Sequence, residues 1–141
     1  MSNNGAPIVA ITRRVMFCAS HRLHCNDLTE TQNKELFGKC NNPNGHGHNY
    51  VLDVTVQGEV DGKTGMVMNL TELKKVINDV IMEKFDHKHL NLDVAEFKTL
   101  NPTSENVAIV IWRLLQPKLP TGLLYEVKLH ETENNIATYR G

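Results

Sequence analysis

Polar and apolar positions alternate most cleanly from His46 to Val60, where Tyr50, Leu52, Val54 and Val56 share parity with His46 and His48. Residues two apart on a strand point to one side, so this stretch reads as a long strand with one distinct face. Ile8 to Ser20 alternates more loosely and reads as another strand. Residues 26–44 are polar and rich in Asn, a loop with one short helical turn near Gln32 to Phe37. Asp61 to Gly65 is a turn. The period then changes. Leu73, Val76, Ile77, Val80 and Ile81 recur at helical spacing, behind Asn69 as N-cap and Glu72 as its capping-box partner. A second helix begins near Thr103, carries Val107, Val110, Ile111, Leu114 and Leu115, and ends before Pro117. Leu123 to Glu131 and Ile136 to Arg140 form a hairpin around Asn134-Asn135.

The order strand, strand, helix, helix, strand, strand describes an α+β domain: an antiparallel four-stranded sheet with both helices on one face. Such a sheet leaves one bare face and two open edges, which invite pairing with another chain. An obligate oligomer, closed across subunits, is expected.

The 141 residues suit a single domain over 1–141, with 1–7 a flexible start. The net charge of −1 argues against a nucleic-acid partner. The apolar runs, such as Val107 to Trp112, are shorter than the roughly 20 residues of a membrane span. With no apolar signal segment, a cytoplasmic location is expected. Three cysteines, an odd count, predict free thiols in a reducing compartment. Cys18 reads as a small core residue and Cys25 as a surface thiol. The sequon Asn69-Leu70-Thr71 reads as a helix start rather than a glycan site. The one excess is histidine, at seven residues.

His46-Gly47-His48 places two imidazoles on one strand face, a chelating pair. His21 closes the first strand, beside the start of the strand at His46, and is the best third ligand. Three neutral imidazoles with an open position describe a catalytic zinc site; the plainer alternative is a polar surface. Cys40 is either a fourth, closing ligand or a nearby thiolate acting as base or nucleophile. Asp86 beside His87 reads either as an acid–base pair or as a charged helix end. Glu105 reads as a first-turn carboxylate, and Glu131 as a solvated strand end or a receiver of paired hydrogen bonds.

Six stretches of the chain carry a resemblance: Phe17 to Leu23, Phe37 to Tyr50, Gly65 to Leu70, Asp86 to Lys88, Thr103 to Asn106 and Glu131 to Ile136. They resemble the 6-pyruvoyl tetrahydropterin synthase family, and Phe37 to Tyr50 is the most specific of them. The resemblance implies the tunnelling fold, a homohexamer of two stacked trimers, each closing an oligomeric barrel. It implies loss of triphosphate from 7,8-dihydroneopterin triphosphate and internal redox to 6-pyruvoyl tetrahydropterin, a step toward tetrahydrobiopterin. His21, His46 and His48 match zinc ligands, and Cys40 the catalytic base. Asp86 and His87 match acid–base partners from a neighbouring subunit. Glu131 matches the pterin anchor, helped by Thr103, Ser104 and Glu105. Arg22 and Lys39 are the cations offered for triphosphate, with Mg2+ assisting. Phe85, His89, His24-Cys25 and Ser104 depart from the family pattern without touching these roles. Met16 stands where some relatives carry a phosphorylatable Ser. The related 6-carboxytetrahydropterin synthases place the cysteine nearer the His-x-His pair than here. A non-catalytic module with Cys40 completing a closed zinc site is the rival from another class.

Overall fold

The computed structural model describes residues 5–141. Of the flexible start expected over 1–7, residues 1–4 lie outside the described residues. Val60 N–H donates to the Pro7 carbonyl at 3.0 Å.

Two long strands form the frame. β1 (Ile8–His21) and β2 (His46–Glu59) pair antiparallel from Ile8 opposite Glu59 to His21 opposite His46. Alternation sorts their side chains. Phe17, Ala19, Tyr50, Leu52, Val54 and Val56 are buried, while Arg14, Met16, Cys18 and Asn49 are exposed on the other face. Cys18 therefore corrects the expectation of a core cysteine: its parity is opposite to that of Phe17 and Ala19.

Beyond β1 lies β3 (Lys88–His89), parallel to it. Beyond β2 lie β4 (Leu124–His130) and β5 (Ile136–Tyr139), both antiparallel. The sheet order is β3-β1-β2-β4-β5. The expected four strands become five, because a strand of two residues is too short to display a period of two. The α+β class stands.

The Asn-rich loop holds more helix than expected. α1 (Glu30–Phe37) starts from a reciprocal capping box between Thr29 and Gln32, and a 3-10 turn, Gly38–Asn41, follows. α2 (Leu70–Ile77) starts at Asn69, whose side chain accepts from Thr71 N–H at 2.9 Å. The box expected with Glu72 is replaced by this single bond. The rod runs on through a π-helical turn, Asn78–Met82, into α3 (Glu83–Phe85). Its buried residues are Leu73, Ile77, Ile81 and Phe85, four apart each time. In an ideal α-helix each step of four rotates the stripe by about 40°. The wider π turn absorbs that drift and keeps Ile81 and Phe85 on the core.

α4 (Leu90–Asp93) and the 3-10 turn Ala95–Lys98 bury Leu90, Val94 and Phe97. α5 (Ser104–Leu115) packs on β4 and β5 and ends, as expected, before Pro117. Phe17 stacks on Tyr50 at 4.9 Å and meets Phe85 edge-on at 5.8 Å. The bare face is polar: Arg14 Nε and Nη2 donate to Asp53 at 2.7 and 2.9 Å, and His130 Nε2 lies 3.1 Å from the same carboxylate. No helix among the described residues is long and apolar enough to cross a membrane.

Candidate active site

The core stripe of β2 runs on from Tyr50 to His48 and His46, and β1 brings His21 opposite His46. Two strands thus deliver three imidazoles to one spot. His21 Nε2 lies 3.1 Å from His46 Nε2, and one ligand nitrogen from each ring lies within 4.8 Å of the others. The ring of His21 is 1% exposed. Its Nδ1 lies 2.7 Å from the Pro102 carbonyl and 3.3 Å from the Tyr50 hydroxyl. A carbonyl only accepts, so Nδ1 carries the proton and Nε2 turns a lone pair to the cluster.

Burial lowers the His21 pKa to about 4, against the opposing pull of the Pro102 carbonyl. Burial, then His48, also lowers that of His46. His46 Nδ1 and His48 Nε2 are buried without a hydrogen-bond partner. Such an orphan costs about 1–3 kcal/mol. Converging imidazoles with unspent nitrogens fit a divalent cation, and the donor set suits zinc among others.

Glu131 follows β4 and stands over the cluster. Its Oε2 accepts from Ser104 Oγ at 2.7 Å. Oε1 is 3.8 Å from His48 Nε2, and Oε2 is 3.9 Å from His21 Nε2. A cleft of about 540 Å³ opens here, lined by Leu23, Thr103, Ser104, Glu105 and Glu131 with the Asn134-Asn135 turn. Thr103 is the N-cap of α5, accepting from Asn106 N–H at 3.2 Å. The four residues expected on the substrate side therefore share one wall beside the imidazoles.

Cys40 lies in the 3-10 turn, half-buried, outside the three-residue ligand group. Its carbonyl accepts from Leu23 N–H at 2.9 Å. The Tyr50 hydroxyl is pushed well above its ordinary range by burial, then by the charges of Glu131 and Cys40.

Asp86 and His87 stand elsewhere, at the open flank of β1. Cys18 N–H donates to Asp86 Oδ1 at 3.0 Å, and His87 N–H to the Cys18 carbonyl at 2.6 Å. His87 Nδ1 lies 3.0 Å from Asp86 Oδ2. The bond from Cys18 N–H, then the bond from His87, hold the Asp86 carboxyl below its ordinary range. Within one chain the pair is tied to the sheet edge, not to the imidazoles. Lys39 is exposed, and Arg22 Nε donates to the Asn41 carbonyl at 3.0 Å.

Tyr50 and Pro102, the partners of His21, are not among the expected site residues. Tyr50 had a signal, its parity with the two histidines of β2. Pro102 had none, since the contact is a backbone carbonyl 81 positions away.

The family profile described as 6-pyruvoyl tetrahydropterin synthase matches residues 10–141. A 6-pyruvoyl tetrahydrobiopterin synthase of Homo sapiens is 56% identical over 131 residues, 93% of this chain and 90% of that one. One of Drosophila melanogaster is 53% identical over 137 residues, 96% of this chain and 81% of that one. The solved structure of Caenorhabditis elegans 6-pyruvoyl tetrahydropterin synthase superposes with a TM-score of 0.93 at 49% identity, covering 96% of this chain and 97% of that one. On sequence and fold together, the chain belongs to the 6-pyruvoyl tetrahydropterin synthase family.

Proposed function

We propose that this chain is the lyase that converts 7,8-dihydroneopterin triphosphate to 6-pyruvoyl tetrahydropterin and triphosphate. The observation that carries the reading is the adjacency of the three imidazoles to the Ser104–Glu131 cleft. It supports a substrate held at two points. Glu131, oriented by Ser104, accepts paired hydrogen bonds from the amino-pyrimidine edge, with Thr103 and Glu105 on the same wall. His21, His46 and His48 would hold zinc against the side chain of the pterin. Bound there, zinc supplies Lewis acidity toward the side-chain hydroxyls and makes the neighbouring C–H protons more acidic.

Cys40 removes a side-chain proton, and its place outside the ligand group supports a base rather than a fourth ligand. Asp86 and His87 move protons to and from a neighbouring copy, since they sit at a sheet edge. The bare sheet face, with Met16 67% exposed on it, supports closure into a homohexamer of two stacked trimers of one-domain chains. Lys39 is free to meet the triphosphate, with Mg2+ assisting; Arg22 already donates one N–H to Asn41. Three cysteines, an odd count, suit a cytoplasmic setting.

Incubation of the purified zinc-loaded protein with 7,8-dihydroneopterin triphosphate, followed by mass spectrometry, tests the reading. 6-Pyruvoyl tetrahydropterin with triphosphate is the expected result. Acetaldehyde and a carboxylated pterin would replace it with the sister activity.

A further inference from the structure

Asn41 is 3% exposed, although most of the loop around it faces solvent. Lys39, Asn42, Pro43 and Asn44 are exposed and Cys40 is half-buried. Residues 40–41 are held to a neighbouring segment by a set of polar bonds. We propose that Asn41 is a positioning residue that fixes where Cys40 stands relative to the imidazoles. This rests on the reading of Cys40 as the proton-removing base.

The bonds form a short ladder. Asn41 Nδ2 carries two N–H groups, and both are used: one meets the Leu23 carbonyl at 2.8 Å, the other His24 Nδ1 at 2.9 Å. The Asn41 carbonyl accepts from Arg22 Nε at 3.0 Å, and the Cys40 carbonyl accepts from Leu23 N–H at 2.9 Å. These four bonds join residues 40–41 to the three residues that directly follow His21. From the far side Asn91 grips Arg22, accepting from its N–H at 2.8 Å and donating to its carbonyl at 2.9 Å. The residue that carries the thiol is thus itself a rung of the ladder, and His21 directly precedes the ladder's other side. A larger cleft of about 700 Å³, lined in part by Arg22, His24 and His89, lies beside this segment. Arg22 commits its Nε and His24 its Nδ1 to Asn41, which supports a holding role for them.

Asn41→Asp keeps the size of the side chain and removes both N–H donors. A shift of about 1 Å in a reacting group can cost on the order of a hundredfold in rate. The expected result is a fall in kcat of about tenfold or more with KM within about twofold. Zinc per chain stays at the parent value, and Cys40 reacts faster with iodoacetamide. His24→Ala, at a half-buried position, removes one of the two acceptors and shifts kcat the same way, and His24→Gln, which returns an acceptor, recovers part of it. His24→Ala decides alone if Asn41→Asp does not fold. Parent-like kcat and alkylation in these variants would overturn the proposal, as would loss of zinc in step with activity. Cys40→Ala separates the two levels. If it is inactive while Asn41→Asp and His24→Ala turn over like the parent, positioning fails alone. If Cys40→Ala itself turns over like the parent, the base reading fails and positioning falls with it.

Discussion

His87 adopts φ 61°, a left-handed backbone that costs a non-glycine residue about 1–2 kcal/mol. The strain is held by its N–H on the Cys18 carbonyl at 2.6 Å and by Asp86 against its ring at 3.0 Å. Strain at an exposed imidazole suggests function rather than folding. His87→Gly should therefore keep or raise the thermal midpoint while turnover collapses; a fall in both would mark His87 as structural. Gly45 is the opposite case. At φ 78° a Cβ there would lie 2.9 Å from the His21 carbonyl and from the His89 ring. Gly45→Ala should push His46 off its neighbours and weaken zinc affinity by about tenfold or more, within the 10–100-fold range of supporting-shell losses. Isothermal titration of the metal-free protein checks this.

The histidine site was legible in the sequence because it obeys strand arithmetic. Parity gives His46 and His48, and antiparallel pairing brings His21 to them. Asn41 and Pro102 were not legible, since their roles come from hydrogen bonds between distant segments.

Among the elements, the rod from Leu70 to Phe85 links core to site. Phe85 is fully buried, packs on Phe17 and Phe97, and directly precedes Asp86. Phe85→Ala should cost about 3–5 kcal/mol, read as a lower urea midpoint. The same variant should loosen the Asp86–His87 pair, read as faster exchange of the His87 amide; an unchanged midpoint would mean that the rod is not anchored there. The long elements announced themselves through periods of two and of about 3.6. The π turn did not, because the apolar residues Leu73 to Ile81 alone already fit an ordinary helical period, and the drift shows only once Phe85 is known to be buried. Lys88–His89 did not either, being a strand only because β1 lies beside it.

For the whole molecule, acid stability should centre on the bare face of the sheet. The hydrogen bond from Arg14, then that from His130, holds the Asp53 carboxyl below its ordinary range against the pull of burial. A depressed carboxyl stabilises the fold above its unfolded pKa of about 3.9. That contribution is lost as the pH falls through the lower folded value. Asp53→Asn should flatten this acid limb of the unfolding curve while leaving zinc content unchanged. An unaltered limb would mean that other carboxylates set it.

The proposed chemistry needs a cation held by three imidazoles with the Cys40 sulfur outside its shell. X-ray absorption at the zinc edge of the loaded protein tests that most directly. The expected first shell holds only nitrogen and oxygen, near about 2.0–2.1 Å. A sulfur scatterer near about 2.3 Å would place the thiol on the metal and contradict the account.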